Sequence, residues 1–229
     1  MSEYKEIEKI IGIKFKNPQL IQEALTHRSY LNEHREHTNN HNERLEFLGD
    51  AVLELVVTEF LFKNYNQSEG ELTNWRAALV KGDTLADIAN NLDIEKYLKM
   101  SKGEKKDMGR ARKYRLANMV EAIIGAMYLD QGYQVVNKFI HDNIISKLDN
   151  IIKSKSYLDA KSYFQQKAQE ELHTTPHYEV LKEDGPDHDK VFLVGIFIGS
   201  EKIAEGEGAS KQEAQRSAAA NGLIKKGWT

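Results

Sequence analysis

Three carboxylates share one stripe of a leucine-rich stretch, NERLEFLGD at residues 42–50. Glu46 and Asp50 are four residues apart and Glu43 and Asp50 are seven apart, so on an α-helix all three lie along one side. Like charges at that spacing cost a helix roughly a few tenths of a kcal/mol per pair. Leu45, Leu48, Val52 and Leu53 mark another stripe of the same helix. A further acid, Glu121, stands among Val120, Ala122, Ile123 and Ile124, with Asn118 three residues earlier on the same helical face. A charge amid that much apolar surface needs a partner or a metal ion. If the two helices pack side by side, Glu46, Asp50, Asn118 and Glu121 converge as an oxygen-rich pocket. Such donors suit a hard cation such as Mg²⁺, which can activate water and stabilise the charge on a phosphodiester under attack. The plainer reading of an acidic stripe is a solvated helix face, and the pattern by itself favours it.

The elements that would carry these residues are helical over about the first 150 positions. Asn17-Pro18 reads as an N-cap followed by proline at the first helical position. The polar HREHTNNHN at 34–42 reads as a loop, and a long helix is expected from about 42 to 64. A turn at SEG (68–70) precedes the helical ELTNWRAALV, Gly82-Asp83 punctuates, and DTLADIANNL resumes. SKGEKKDMGRARK (101–113) reads as a charged connection, LANMVEAIIGAMYLD (116–130) as an apolar helix and VVNKFIHDNIISKL (135–148) as the last helix of the group.

After KSKS at 153–156, which reads as a linker, the periodicity changes. A helix over 159–172 is followed by three short runs rich in Val, Ile, Phe and Tyr, separated by GPDHD and GS, and then by an Ala-rich helix over 210–226. The order α-β-β-β-α predicts a small α+β domain with both helices on one face of the sheet. The expected fold class is thus an all-α domain, residues 1–152, followed by an α+β domain, residues 157–229.

NERLEFLGDAVLELVV resembles the signature of bacterial ribonuclease III. ALTHRSYLNE (24–33), EGELTNWRAALV (69–80) and LANMVEAIIGAMYLDQGY (116–133) resemble further blocks of that family in the same order. The tail resembles the double-stranded-RNA-binding domain that follows its nuclease domain. The resemblance implies a homodimeric, Mg²⁺-dependent endoribonuclease, with Mn²⁺ as a substitute ion, whose cleft takes duplex RNA. It implies cleavage that leaves 5′-phosphates, 3′-hydroxyls and short 3′ overhangs, in ribosomal RNA precursors and structured messenger RNA. Its metal positions fall on Glu46, Asp50, Asn118 and Glu121, with Asp50 and Glu121 catalytic. Glu43 and Glu69 match acidic positions lining the cleft. Phe47 matches an aromatic residue that enters a socket on the partner subunit, where the plain reading is a core aromatic. In the tail the resemblance places RNA contacts at Ser162, Gln165 and Gln169 on the first helix, at His188 in the GPDHDK loop, and at Ser210 and Lys211 at the start of the last helix. A helix N-terminus with free N–H groups suits a phosphate.

One departure matters. The family pattern has Asp where this chain has Asn118. Either the amide carbonyl serves and the enzyme is active, or the site is impaired and the chain binds duplex RNA without cutting it. The RNA-contact patch is also thin, since Ala209 and Gln212 flank Lys211.

Other features lead less far. His34, His37 and His41 sit in so polar a stretch that a solvated loop is the simpler reading. Lys102, Lys105, Lys106, Arg110, Arg112, Lys113 and Arg115 form a basic connection that is either solvated or a phosphate-contacting edge. His27 in THRS is assigned no chemistry, and Trp75 and Trp228 read as packing residues. Net charge is -3, with 23 basic and 23 acidic residues up to position 155 and 9 against 12 beyond it, so nucleic-acid binding must rest on local patches. The chain has no cysteine, which excludes disulfides, thiol nucleophiles and cysteine-ligated zinc. The most apolar run, 51–62, contains Glu54 and Glu59 and is too short to span a bilayer. No secretory signal is read at the N-terminus. A cytoplasmic protein with no membrane partner and no small-molecule cofactor is expected.

Overall fold

The computed structural model describes residues 4–34, 40–106, 108–154, 157, 159–186 and 190–228. His37 and His188 lie outside the described residues. The chain divides into two compact units, Met1–Ser154 and Lys155–Thr229.

The first unit is helical: α1 (Tyr4–Ile11), α2 (Pro18–Ala24), α3 (Arg28–Glu33), α4 (Glu43–Asn64), α5 (Glu69–Val80), α6 (Gly82–Asn91), α7 (Arg110–Gln131), α8 (Tyr133–Asn143) and α9 (Leu148–Lys153). Asn17 caps α2 as its sequence predicts, accepting from the Gln19 N–H at 3.1 Å. Ser68 caps α5 by accepting from the Glu71 N–H at 3.3 Å, so Glu69 belongs to the first helical turn and not to a loop. The connection expected over 101–113 is shorter than its charge suggested, because α7 already starts at Arg110. The helix expected over 135–148 is broken after Asn143 by a 3₁₀ turn at Ile145–Lys147.

The core of this unit forms where α4 crosses α7, the most extensive helix contact in it. Met119, Val120, Ala122, Ile123, Ile124, Ala126 and Met127 are all buried, covering most of the circumference of α7, as befits a central helix. From α4, Leu45, Val52, Leu53, Val56 and Val57 face inward, while Leu48 is only half-buried. Each fully buried Val or Leu contributes roughly 1.5–3 kcal/mol relative to exposure. That is ample to offset the mutual repulsion of the acidic stripe. At the far end of α7, the Asp130 carboxylate accepts from the Lys16 and Asn17 N–H groups, both at 2.8 Å, tying α7 to the start of α2.

The second unit is α10 (Ala160–Leu172), β1 (His177–Asp184), β2 (Val191–Ile198), β3 (Glu201–Gly208) and α11 (Lys211–Lys226), the α-β-β-β-α order read from the sequence. The sheet is antiparallel in the order β1-β2-β3. Its inward residues Ile196 and Ile203 pack with Phe164 and Ala168 of α10 and Ala218, Ala219 and Leu223 of α11. Trp228 closes this small core against Phe164, ring centroids 5.1 Å apart.

Candidate functional site

The crossing of α4 and α7 is set by two glycines. A Cβ on Gly49 would stand 1.8 Å from the Glu121 carbonyl oxygen, and one on Gly125 would stand 2.2 Å from the Leu45 carbonyl oxygen. Each helix thus presses its backbone into the notch left by the other's glycine. Gly49 is flanked by Glu46 and Asp50, and its notch receives the backbone of Glu121, so the seam itself brings the carboxylates together. The sequence reading singled out neither glycine. A glycine inside a long helical pattern is the signal that points to such a close approach.

The electrostatics follow from that closeness. Glu121 is half-buried, and burial first, then the charges of Asp50 and Glu46, push its carboxyl up to about 8. Glu46 is raised by burial and by Glu43 and Asp50, against a hydrogen bond donated by the Asn118 side chain that favours its charged form. Asn118 is therefore not a bystander: its amide already engages one of the carboxylates. Glu43, at the outer end of the stripe, pairs with Arg28 at 3.4 Å and with His41 at 3.7 Å.

Glu46, Asp50, Asn118 and Glu121 are thus near enough across the seam to act on one another's charge, and as ligands they would offer oxygen donors. Among the described residues no three His, Asp or Glu side chains are grouped closely enough to enclose a metal ion. Carboxylates under like-charge repulsion suit a hard divalent ion that takes few protein ligands and keeps several waters.

Not every expected residue joins this group. Glu69 lies apart, in a surface depression between α4 and α5 with Thr58, Phe62, Leu72 and Arg76. Of the basic connection, Arg112 is engaged by Glu95 and Asn90, Lys113 by Asp83 at 2.8 Å, and the buried Arg115 by Glu104 at 2.7 Å. These cations staple α7 to its neighbours. Lys102, Lys105, Lys106 and Arg110 remain on the surface. His27 is a cap, its ring nitrogen accepting from the Ser29 N–H at 3.3 Å.

Phe47 is 81% exposed, which rules out the core-aromatic reading in the single chain. It stands at the rim of a depression lined by Leu20, Glu23, His41, Arg44, Leu48 and Leu129.

In the second unit Ser162, Gln165 and Gln169 are exposed on one side of α10. The start of α11 is less open than expected. The Ser210 side chain caps α11 by accepting from the Glu213 N–H at 3.2 Å, which occupies one of the free donors of the helix N-terminus, and the Glu213 carboxylate accepts from the Ala209 N–H at 3.1 Å, just before the cap. Lys211 is also not free: its Nζ sits 2.8 Å from Glu183 Oε1 of β1 and 5.5 Å from the centre of the Phe192 ring.

Comparison with known proteins bears on both units. Residues 17–148 match a family model described as ribonuclease-III-like, and residues 160–226 match the double-stranded RNA binding motif. The chain is 43% identical over 218 residues to ribonuclease 3 of Carboxydothermus hydrogenoformans, covering 95% of this chain and 93% of that protein. It is 40% identical over 223 residues to ribonuclease 3 of Listeria innocua, covering 96% of each. Among solved structures, the nuclease domain of ribonuclease III from Campylobacter jejuni, described for structural flexibility in its dimer-forming region, matches with a TM-score of 0.57 and 37% identity. The match covers 63% of this chain and 97% of that one.

Proposed function

The chain belongs to the ribonuclease III family, and from that premise we propose which of its residues cut RNA and how. It is an endoribonuclease of double-stranded RNA, a hydrolase whose tail carries a double-stranded-RNA-binding motif. Its family consists of metal-dependent nucleases. The reading of a bare RNA binder is not favoured, since the relatives it matches end to end are ribonucleases.

The observation that carries the site assignment is the convergence of Glu46, Asp50, Asn118 and Glu121 across the Gly49–Gly125 seam. We assign Mg²⁺ to these four residues, with Mn²⁺ as a substitute; when bound, the ion activates water and stabilises charge on the phosphate. The chain's own part is to hold the oxygens in place. Packing of α4 on α7 fixes the backbones, and Asn118 fixes the Glu46 carboxylate. Asp50 is exposed at the open side, where substrate would enter. The Glu121 carboxyl, which burial first and then the charges of Asp50 and Glu46 raise to about 8, must give up its proton before it can serve, and a cation would favour that loss. Glu43 belongs to the cleft wall, and Glu69 belongs there only if the partner subunit completes the cleft.

A homodimer follows from Phe47 in this reading. A knob beside a depression on the same surface can pair with its copy about a twofold axis, knob into hollow twice over. Phe47→Ala should weaken self-association by at least about thirtyfold, the size of one aromatic hot spot. Sedimentation velocity across a concentration series checks this, and an unchanged dimer would sink the assignment.

The test of the functional reading is cleavage of an end-labelled RNA duplex in Mg²⁺. The chain is expected to cut, leaving 5′-phosphates, 3′-hydroxyls and short 3′ overhangs. Asn118→Asp adds a fourth carboxylate and should lower the half-saturating Mg²⁺ concentration by roughly tenfold, the scale of a tuned ligand shell. A chain that binds duplex but cuts only as Asn118→Asp would return the molecule to the bare-binder reading.

A further inference from the structure

Lys211 and Arg216, in the first half of the last helix, each have an acid beside them. Lys211 is held by Glu183 at 2.8 Å, and Arg216 Nε stands 3.5 Å from Asp159 Oδ2. On α10, Lys161 donates to Gln215 at 2.7 Å and Lys167 pairs with Glu170 at 3.1 Å. The residues that would face an RNA duplex therefore present little free positive charge, in keeping with the acidic balance of the tail.

Among these pairs Glu183 has a particular position. It lies near the end of β1, paired across the sheet with Phe192, whose ring lies under the Lys211 ammonium. Lys190, in the β1–β2 connection just before β2, is also near enough for its charge to act on Glu183. One carboxylate thus draws on two cations, from the β1–β2 connection and from the head of α11. These are two of the three regions through which the tail would touch duplex RNA.

We propose that Glu183 is an electrostatic gate on the RNA-binding domain: its carboxylate occupies the Lys211 ammonium that a backbone phosphate would otherwise take. This rests on the reading of the tail as a duplex-RNA binder. Binding then exchanges one ion pair for another, and the Lys211–phosphate contact adds little net affinity. The pair is surface-exposed, with side-chain exposures of 57% and 39%, so its strength is modest and a phosphate can displace it. The gate keeps the tail's grip weak. Duplex selection then falls to the uncharged α10 face, which reads shape and 2′-hydroxyls.

The experiment measures binding of a 20-base-pair RNA duplex to the full chain in EDTA, between 50 and 300 mM KCl. The parent is compared with Glu183→Gln, Lys211→Gln and the double variant. Glu183→Gln is expected to tighten binding about 3- to 10-fold and to steepen the salt dependence by close to one released counterion, about 0.9 in slope. In the Lys211→Gln background the Glu183 substitution should lose most of that gain, because the carboxylate acts through the lysine. Unchanged thermal midpoints establish that the sheet is intact. Two results overturn the gate: no tightening in Glu183→Gln while the parent binds, or a gain undiminished without Lys211, which would mark general repulsion. If neither the parent nor any variant bound duplex, the RNA-binding reading of the tail would fall with it.

Discussion

Glu121→Gln is expected to abolish cleavage of duplex RNA, by at least about a thousandfold at saturating Mg²⁺, while leaving duplex binding within a factor of two or so. The loss follows from removing a carboxylate that would hold a cation worth several kcal/mol to the charged phosphate. The same substitution should stabilise the fold, and only in a defined pH window. Folded Glu121 keeps its proton up to about pH 8, against an ordinary value of 4.5. Between those values the folded chain binds more protons than the unfolded one, so stability falls as pH rises through the window and the penalty is complete above about 8. Below 4.5 both states are protonated and the penalty vanishes. Glu46, also raised, adds to the trend in the same direction. The thermal midpoint of Glu121→Gln should therefore exceed the parent's by a few degrees or so at pH 8.5 and match it at pH 4. A variant less stable than the parent at pH 8.5 would contradict the buried, repelled carboxylate. The repulsion has a functional face too: in the parent, the Mg²⁺ concentration for half-maximal cleavage should fall as pH rises toward 8.

Gly49→Ala should cost more stability than any polar change at the site. Its methyl carbon would stand 1.8 Å from a backbone carbonyl oxygen, and a backbone cannot swing aside as a side chain can. The helices must separate or tilt, at more than about 3 kcal/mol, the upper range of overpacking. For a helical unit of this size that is a drop of roughly 10 °C in the thermal midpoint. Activity should fall further than stability alone explains, since the shift moves Glu121 away from Glu46 and Asp50. Gly125→Ala should behave alike, with its Cβ 2.2 Å from the Leu45 carbonyl oxygen. Gly70→Ala in α5 is the control: nothing lies within 4 Å of the added carbon, so it should be neutral or stabilising by up to about 1 kcal/mol. Equal effects for Gly49 and Gly70 would remove the seam as the device that assembles the site.

Much of this architecture was legible in the chain's own pattern. Helical spacing put Glu43, Glu46 and Asp50 on one stripe, the Asn17-Pro18 cap started α2 where expected, and the switch to alternating Val, Ile and Phe marked the three strands. These are local properties: residue spacing, cap chemistry and turn residues act within a few positions of themselves. That Glu121 joins the same cluster was a conjecture about packing, and only the α4–α7 crossing supports it. Exposure was not legible either. A phenylalanine amid leucines reads as core, yet Phe47 points to solvent, because the helix has only one side facing α7 and Leu45, Val52 and Leu53 fill it. The fate of the cations was likewise hidden. Arg112, Arg115 and Lys211 look alike in sequence, and what each does is set by an acid distant along the chain: Glu95, Glu104 or Glu183. Sequence by itself determined the elements, the family and the chemical types at the site. Tertiary structure decided which charges meet, because pair energies depend on separation and burial in space, and neither is a function of distance along the chain.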